Sequence, residues 1–516
     1  MSAHTLVDQL LRPLVARRVV KSLLLLVVAT GFTAHAAPDR MPEEIQRVGS
    51  HIATQLTAKT PSADVLDLYS VWQLGFTRSP YSKIALSRYA EHQEQRAISR
   101  AGLLPNINGG YSRSRVHGWR ESPGFLGQIS RSNLRYNSTS LYLQLQQPLL
   151  DYGSYAEYQR GKAVADFGAT QLGVDQEQLS LQLAQIYFQT LLAYEDWRMQ
   201  QDRVRFLAER LETFKALARL DNATQLEVEE TAARLAVAEA EIVVAADVLR
   251  EHTLQLASYL GVRPHWLRQL HPTWYYVPLE QNLEQLLERG RQHNRAIQLV
   301  QKELAIYEAR LDAARSQYFP TVSLGLSLNK ANSEDLATLS QRTNTVAVGI
   351  NVVIPLFSGG YTRAATSQAR FQLTSVQNRY QAVVAKAEAD IQKQFGLYTS
   401  GAARVASLQK AMESSRLSLD SMLKSFSVGA ANNLDVLNAQ DQLVATNYDY
   451  YQARLDVLLA HLQLKVLVGE PLHQTIQALS AQYFQGETVP LPNPLRFEPN
   501  ATQAWSLQSD PVQSIP

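Results

Sequence analysis

Three groupings of side chains have residue types that could do chemistry, and none has the spacing that chemistry demands. His265 and His271 stand six apart around Trp266, whereas two ligands on one helix face stand four apart, so the pair reads as surface. Ser358-Gly359-Gly360 has the small residues of a phosphate loop but no lysine to reach the phosphates, and it reads as a turn. Glu227, Glu229 and Glu230 gather carboxylates at the start of a helical stretch, where the helix dipole and solvation account for them without acid–base work. The 516 residues include no cysteine, which removes thiolate nucleophiles, zinc–thiolate sites, disulfides and thioether-linked lipid anchors. The chain is therefore expected not to be an enzyme and to use no catalytic residue, no cofactor and no metal. Its function must come from the surfaces that its elements present.

Charge narrows the partners. The formal net charge is +2, from 49 basic and 47 acidic residues. Arg12, Arg17, Arg18 and Lys21, against Asp8 alone, fall in the first 36 residues, so the remainder is close to neutral and nucleic acid is not expected as a partner. Those four cations precede the apolar run Leu23 to Ala29 and the small residues ending Ala34-His35-Ala36, the pattern of a signal peptide (1–36) cleaved after Ala36. An uncleaved anchor is the alternative, but about ten apolar residues are short of the roughly 20 that a helix needs to span hydrocarbon. No later run is long and apolar enough either. The mature chain is thus expected to be secreted, periplasmic, or held in an outer membrane by strands. Residues 37–63 read as a polar segment, and 471–516 as a proline-rich tail, partly disordered, with six prolines after residue 480.

Between these ends the chain repeats itself at a spacing of about 208 residues. Leu104-Pro105-Asn106-Ile107 answers to Phe319-Pro320-Thr321-Val322, and Gln147-Pro148-Leu149-Leu150 to Ile354-Pro355-Leu356-Phe357. Leu226-Glu227-Val228 answers to Leu434-Asp435-Val436, and Leu260-Gly261 to Val468-Gly469. Residues 64–270 and 271–470 are read as two copies of one order: a helix, two strands around a loop, then a long helical hairpin. The offset drifts between the two proline motifs, where a loop can absorb it.

The strands carry the membrane argument. Val322, Leu324, Leu326 and Leu328 alternate with Ser323, Gly325, Ser327 and Asn329; Val346, Val348, Ile350 and Val352 alternate with Ala347, Gly349 and Asn351. Leu141, Leu143 and Leu145 repeat the pattern in the first half, and Ile107 to Val116 matches it more weakly. Period two over about nine residues suits a transmembrane strand, although an ordinary half-buried sheet has the same alternation. Pro148 and Pro355 lack a backbone donor and are expected to end pairing, with Gly153 and Gly360 turning the chain into helix. Four strands cannot sit open-edged in hydrocarbon, so several identical chains must share one barrel.

The helices are long. No proline interrupts 153–220 or 360–428, and a continuous helix of that length extends about 100 Å. Each is followed by a shorter partner with an apolar seam. In the second this runs through Leu434, Leu437, Asp441, Val444, Tyr448, Tyr451, Leu455, Leu458, Leu462 and Lys465. Two antiparallel hairpins result, with tips near 220–224 and 428–433, where Gly429 and Asp221 or Asn222 can take a positive φ.

Phe426-Ser427-Val428-Gly429, Asn433-Leu434-Asp435-Val436-Leu437-Asn438-Ala439-Gln440, Tyr451-Gln452-Ala453-Arg454-Leu455 and Leu464-Lys465-Val466-Leu467-Val468-Gly469 together resemble the TolC family of outer membrane efflux and secretion channels. The resemblance spans about residues 64 to 470. It implies a mainly α fold with a small β part, in which long antiparallel helical hairpins form a coiled-coil tunnel through the periplasm. Four transmembrane β-strands per chain would contribute to the shared barrel of a homotrimer in outer membrane lipid. It further implies docking to a periplasmic adaptor and an inner-membrane ABC or proton-driven transporter.

Site residues follow only where tip positions match. Asp435 falls where the family places an acid facing the closed periplasmic entrance, and Asn438 where it places a second acid, so this constriction should carry about half the usual charge. Phe426 and Ala431 replace the tyrosine and arginine of the usual lock, whose partner acid would be Glu227. The phenol and guanidinium of that lock are missing, so either the entrance is looser or other contacts hold it. Val428, Gly429, Leu220 and Asp221 match adaptor-docking positions. The expected function is a passive exit duct of a tripartite export system, for type I protein secretion or small-molecule efflux. The alternatives are a dedicated multidrug efflux channel and a non-conducting periplasmic coiled-coil adaptor.

Overall fold

The computed structural model describes residues 65–123, 127–221, 223–273, 276–333 and 341–492. The expected signal peptide, the polar segment 37–63 and the part of the tail beyond 492 lie outside the described residues. The elements in chain order are β1 (Val65–Leu66), α1 (Leu68–Arg78), α2 (Pro80–Ala101), β2 (Asn106–Pro123), β3 (Ile129–Leu150), α3 (Tyr152–Ala218), α4 (Gln225–Leu260) and β4 (Trp266–Arg268). There follow α5 (Leu283–His293), α6 (Arg295–Ser316), β5 (Thr321–Ser333), β6 (Gln341–Val353), α7 (Tyr361–Ser427), α8 (Asn433–Leu467), α9 (Leu472–Tyr483) and β7 (Thr488–Pro490).

Helix lengths fall into two parallel series. α1 and α5 have 11 residues each, α2 and α6 have 22, α3 and α7 have 67, and α4 and α8 have 36 and 35. The strands differ, at 18 and 22 residues in the first pair against 13 and 13 in the second. Strands as well as the loop absorb the drift in the offset, and the first hairpin is longer than its alternation suggests.

Two compact units divide the chain, one of which includes residues 92–166 and 303–375. Its core element is an antiparallel sheet in the order β2-β3-β5-β6. Register sets Val322 opposite Val352, Leu324 opposite Ile350, Leu326 opposite Val348 and Leu328 opposite Val346. Because side chains alternate with period two, these eight share one face. β3 adds Leu145 opposite Leu326 and Leu143 opposite Leu328, and Ile107 of β2 lies opposite Leu145.

Two expectations about strand exits are corrected. Pro148 does not end β3: it lies opposite Ser323, and a bulge between Pro148 and Leu150 brings Leu150 opposite Val322. β2 begins opposite Gln146, so at Pro148 only the β5 side is paired, and a proline is tolerated at such an edge or bulge. The extra residue keeps Leu150 on the apolar face. Gly153 does not turn the chain, since it lies within α3 and has no positive φ. Asp151 starts that helix instead: its Oδ1 accepts from the Gly153 and Ser154 amides at 2.9 and 3.1 Å, and its Oδ2 from the Ser154 hydroxyl at 2.7 Å. Pro355 does follow the end of β6, and Gly360 has a φ of +84° before α7.

The other unit includes residues 167–302 and 376–492 together with 65–91. β1 pairs with β4 in parallel and β4 with β7 antiparallel. Around this small sheet one core gathers Leu183, Ile186, Tyr187 and Leu191 of α3, Leu256 and Leu260 of α4, and Leu458 and Leu462 of α8. The α8 seam is thus apolar where it meets this core, while Leu434 near its start is exposed and Lys465 near its end pairs with Glu470 at 2.7 Å.

The tail is more ordered than its prolines suggest. From 472 to 490 it forms α9 and β7, with Ile476, Leu479, Tyr483 and Phe484 buried in the same core. Phe484 stacks on Phe188 with centroids 5.6 Å apart and meets Tyr187 edge-on at 5.4 Å. The Ser480 hydroxyl donates to Asp67 Oδ2 at 2.6 Å, while Asp67 Oδ1 caps α1 through the Ser70 amide. Proline content marks 471–516 as a partly disordered tail, but in 472–490 the apolar spacing is what decides.

Candidate functional site

The helical tips hold the residues that the resemblance singles out. α3 and α4 are joined through Asp221, at a φ of +56°, and α7 and α8 through Gly429, at +77°. Leu220 is 69% exposed and Val428 78%, so both tips present an apolar side chain to solvent. Each returning helix starts with a reciprocal cap. Thr224 Oγ1 accepts from the Glu227 amide, and Glu227 Oε2 accepts from the Thr224 amide at 2.9 Å. In the second tip Asn432 Oδ1 accepts from the Asp435 amide at 2.8 Å, and Asp435 Oδ2 from the Asn432 amide at 3.2 Å. Glu227 and Asp435 therefore occupy the same place in their hairpins, where a carboxylate satisfies an orphan helix donor and meets the positive end of the dipole. Asp435 and Asn438 are exposed.

Behind the caps lies a network that sequence reasoning missed. Asn433 is buried, donates to Thr231 Oγ1 at 2.9 Å and accepts from Arg210 Nε at 3.1 Å. The Arg210 guanidinium sits 4.2 Å from the Phe426 ring centroid and 5.2 Å from that of Phe214, a cation–π arrangement that favours aromatic faces over water. Burial lowers the pKa of Arg210, and Glu227 opposes that effect; the group stays a cation.

One turn deeper, Arg234 donates to Asn438 Oδ1 at 3.2 Å and to Asp441 Oδ2 at 2.8 Å. Arg203 reaches Asp441 at 3.0 Å and also pairs with Glu241. Asp441 breaks the apolar seam of α8 because guanidinium groups from α3 and α4 both converge on it. Leu207, Ala238 and Leu437 pack together beside this network.

Phe426 and Asn438, read as losses relative to the family pattern, thus hold new partners within the chain. The signal available in sequence was Asp441 itself, since a carboxylate in an apolar seam requires a cation from a facing helix. Which arginines supply it depends on the rotation of two other helices, which the pattern of α8 does not fix. Among the described residues no group of three or more histidine and carboxylate side chains could hold a metal ion.

The second candidate surface is the sheet face. Val348 and Ile350 are 67% exposed, and Val346, Val352 and Ile107 are also exposed. The opposite face presents Ser323, Gly325 and Ser327 beside Asn351, Gly349 and Ala347. β2 and β6 are the outer strands of the four. Among the described residues no helix is long and apolar enough to cross a membrane.

An antiparallel sheet with an exposed apolar face, combined with duplicated helical hairpins, is the build of an outer-membrane channel subunit. The chain belongs to the TolC-type outer membrane efflux protein family, whose model matches residues 83–262 and 286–470. It is 27% identical over 442 residues to the alkaline protease secretion protein AprF of Pseudomonas aeruginosa, covering 83% of this chain and 89% of the relative. It is 28% identical over 440 residues to the proteases secretion protein PrtF of Dickeya chrysanthemi, covering 83% and 93%. The solved CmeC outer membrane channel of Campylobacter jejuni shares the fold, with a TM-score of 0.66 at 15% identity over 80% of this chain and 89% of that one. The protein is an outer membrane channel with its helical tunnel in the periplasm, an exit duct for export.

Proposed function

We propose that this chain is the exit duct of a type I protein secretion system. The likeness to two protease secretion proteins over more than four-fifths of the chain supports the cargo class. In this reading 64–270 and 271–470 are the two repeats of a passive conduit, and an inner-membrane ABC or proton-driven transporter supplies the energy. Three copies join edge to edge through β2 and β6, which satisfies the backbone groups that an open sheet would expose to hydrocarbon. Lipid covers Val322, Leu324, Leu326, Leu328, Val346, Val348, Ile350 and Val352. The observation that carries this is the cross-strand register, which sets all eight on one face, where Val346, Val348, Ile350 and Val352 are exposed. Asp151 marks where β3 gives way to α3, and Pro355 and Gly360 mark where β6 gives way to α7. Leu220, Asp221, Val428 and Gly429 receive the periplasmic adaptor.

Asp435, with Asn438 and Glu227, forms the periplasmic constriction. Asn438 stands where the family pattern has a second acid, and Arg234 beside it is balanced by Asp441, so the ring carries one unpaired acid per chain and attracts cations weakly. Replacing Asp435 by Asn keeps an acceptor for the Asn432 amide while removing the charge. It is expected to reduce block by polyvalent cations in planar-bilayer recordings, and unchanged block places Asp435 away from the constriction. Deleting the gene tests the cargo. Loss of specific proteins from the medium with unaltered drug susceptibility is the expected result. An intact secretome with heightened drug sensitivity assigns the duct to multidrug efflux.

A further inference from the structure

Along the face that carries the apolar residues, lipophilic side chains give way to cations. In β2 the residues in phase with Ile107 and Tyr111 are Arg113, Arg115, His117, Trp119 and Glu121. In β3 those in phase with Leu141 include Arg135 and Arg131, opposite His117 and Glu121. Lys330 follows Leu328 on β5, and Arg342 on β6 lies opposite Asn332, again on this face. Six of the seven cations in the sheet therefore share the apolar residues' side, and Arg120 alone points to the other.

A solvated hairpin has no reason to sort its charges this way. Like charges gathered on one sheet face repel, and both faces would serve solubility equally. Segregation implies that the medium on this side is anionic. At about 3.4 Å per residue, Arg113 and Arg115 stand roughly 7 and 14 Å past Tyr111 along the strand, the depth at which hydrocarbon gives way to headgroups. The cationic stretch also lies at the hairpin end of the strands, away from Asn106 and Leu150, where β2 and β3 meet their helices. With the helices in the periplasm, that end belongs to the outer leaflet.

We infer that this face seats the phosphate groups of the outer leaflet's phosphorylated glycolipid, with Arg113, Arg115 and Arg135 as principal contacts. Guanidinium groups suit that ligand because two parallel N–H donors match two phosphate oxygens. Arg131 is held 4.2 Å over the Trp119 ring and 3.9 Å from Glu121, and Arg135 Nε donates to His117 Nδ1 at 3.3 Å. Arg113, Arg115, Lys330 and Arg342 are exposed. The inference rests on the lipid-facing reading of the sheet.

The test uses the full-length purified protein in detergent micelles, titrated with bisphosphorylated lipid A and with the same lipid after removal of both phosphates. Wild type is expected to bind the bisphosphorylated form at least about tenfold more tightly than the dephosphorylated one, with the gap closing as salt rises. Arg113→Gln with Arg115→Gln and Arg135→Gln should lose that preference, and Arg120→Gln on the opposite face should keep it. Equal binding of the two lipids by wild type overturns the inference, as does a triple variant that retains the preference. Membrane insertion separates this from the underlying reading: a lost phosphate preference in protein that still assembles in outer membranes refutes the glycolipid seat alone.

Discussion

Leu326→Arg, or Val348→Arg directly opposite it, eliminates most assembled protein from the outer membrane. The two residues face each other near the middle of the β5–β6 ladder, so either cation lies deep in hydrocarbon if lipid covers that face. The cost at the midplane of a barrel is about 2–4 kcal/mol per cation, and the proposed trimer would repeat it in each copy. The measurement is the yield of heat-sensitive trimer on gels of outer-membrane fractions. Ser327→Arg, one residue along and on the other face, should assemble far better. Similar yields for Leu326→Arg and wild type reverse the assigned orientation of the sheet.

Phe484→Ala destabilises the helical unit by about 3–5 kcal/mol. Its ring is buried among Phe188 and Tyr187. Thermal unfolding followed by helical circular dichroism should begin several degrees lower than in wild type, with trimer yield reduced in proportion. A change below about 1 kcal/mol shows that α9 packs loosely and that the tail is dispensable to this core.

Much of this architecture was legible in the sequence because period and repetition are local signals. Alternation in 322–328 and 346–352 named both the strands and their shared face, and the absence of proline over 153–220 and 360–428 marked two helices that are each 67 residues long. Glu227 and Asp435 were located through the repeat, and both are cap carboxylates. What escaped was set by tertiary geometry or by competing local chemistry. Pro148 stays in its strand because one side is already unpaired, which depends on where β2 begins. Asp151, not Gly153, starts α3. The arginines at 203, 210 and 234 lie on exposed-looking helix stretches, and only the rotation of α3 and α4 brings them to Asn433, Asn438 and Asp441.

The absence of cysteine makes the central claim open to direct measurement. Single cysteines placed in turn at 324 to 328 and 346 to 350, each bearing a nitroxide, report collisions with oxygen, which concentrates in lipid, and with a water-soluble nickel chelate. In protein reconstituted in bilayers, oxygen accessibility should peak at 324, 326, 328, 346, 348 and 350, and nickel accessibility at 325, 327, 347 and 349. Accessibility without a period of two, or with the two probes exchanged, contradicts a lipid-facing sheet.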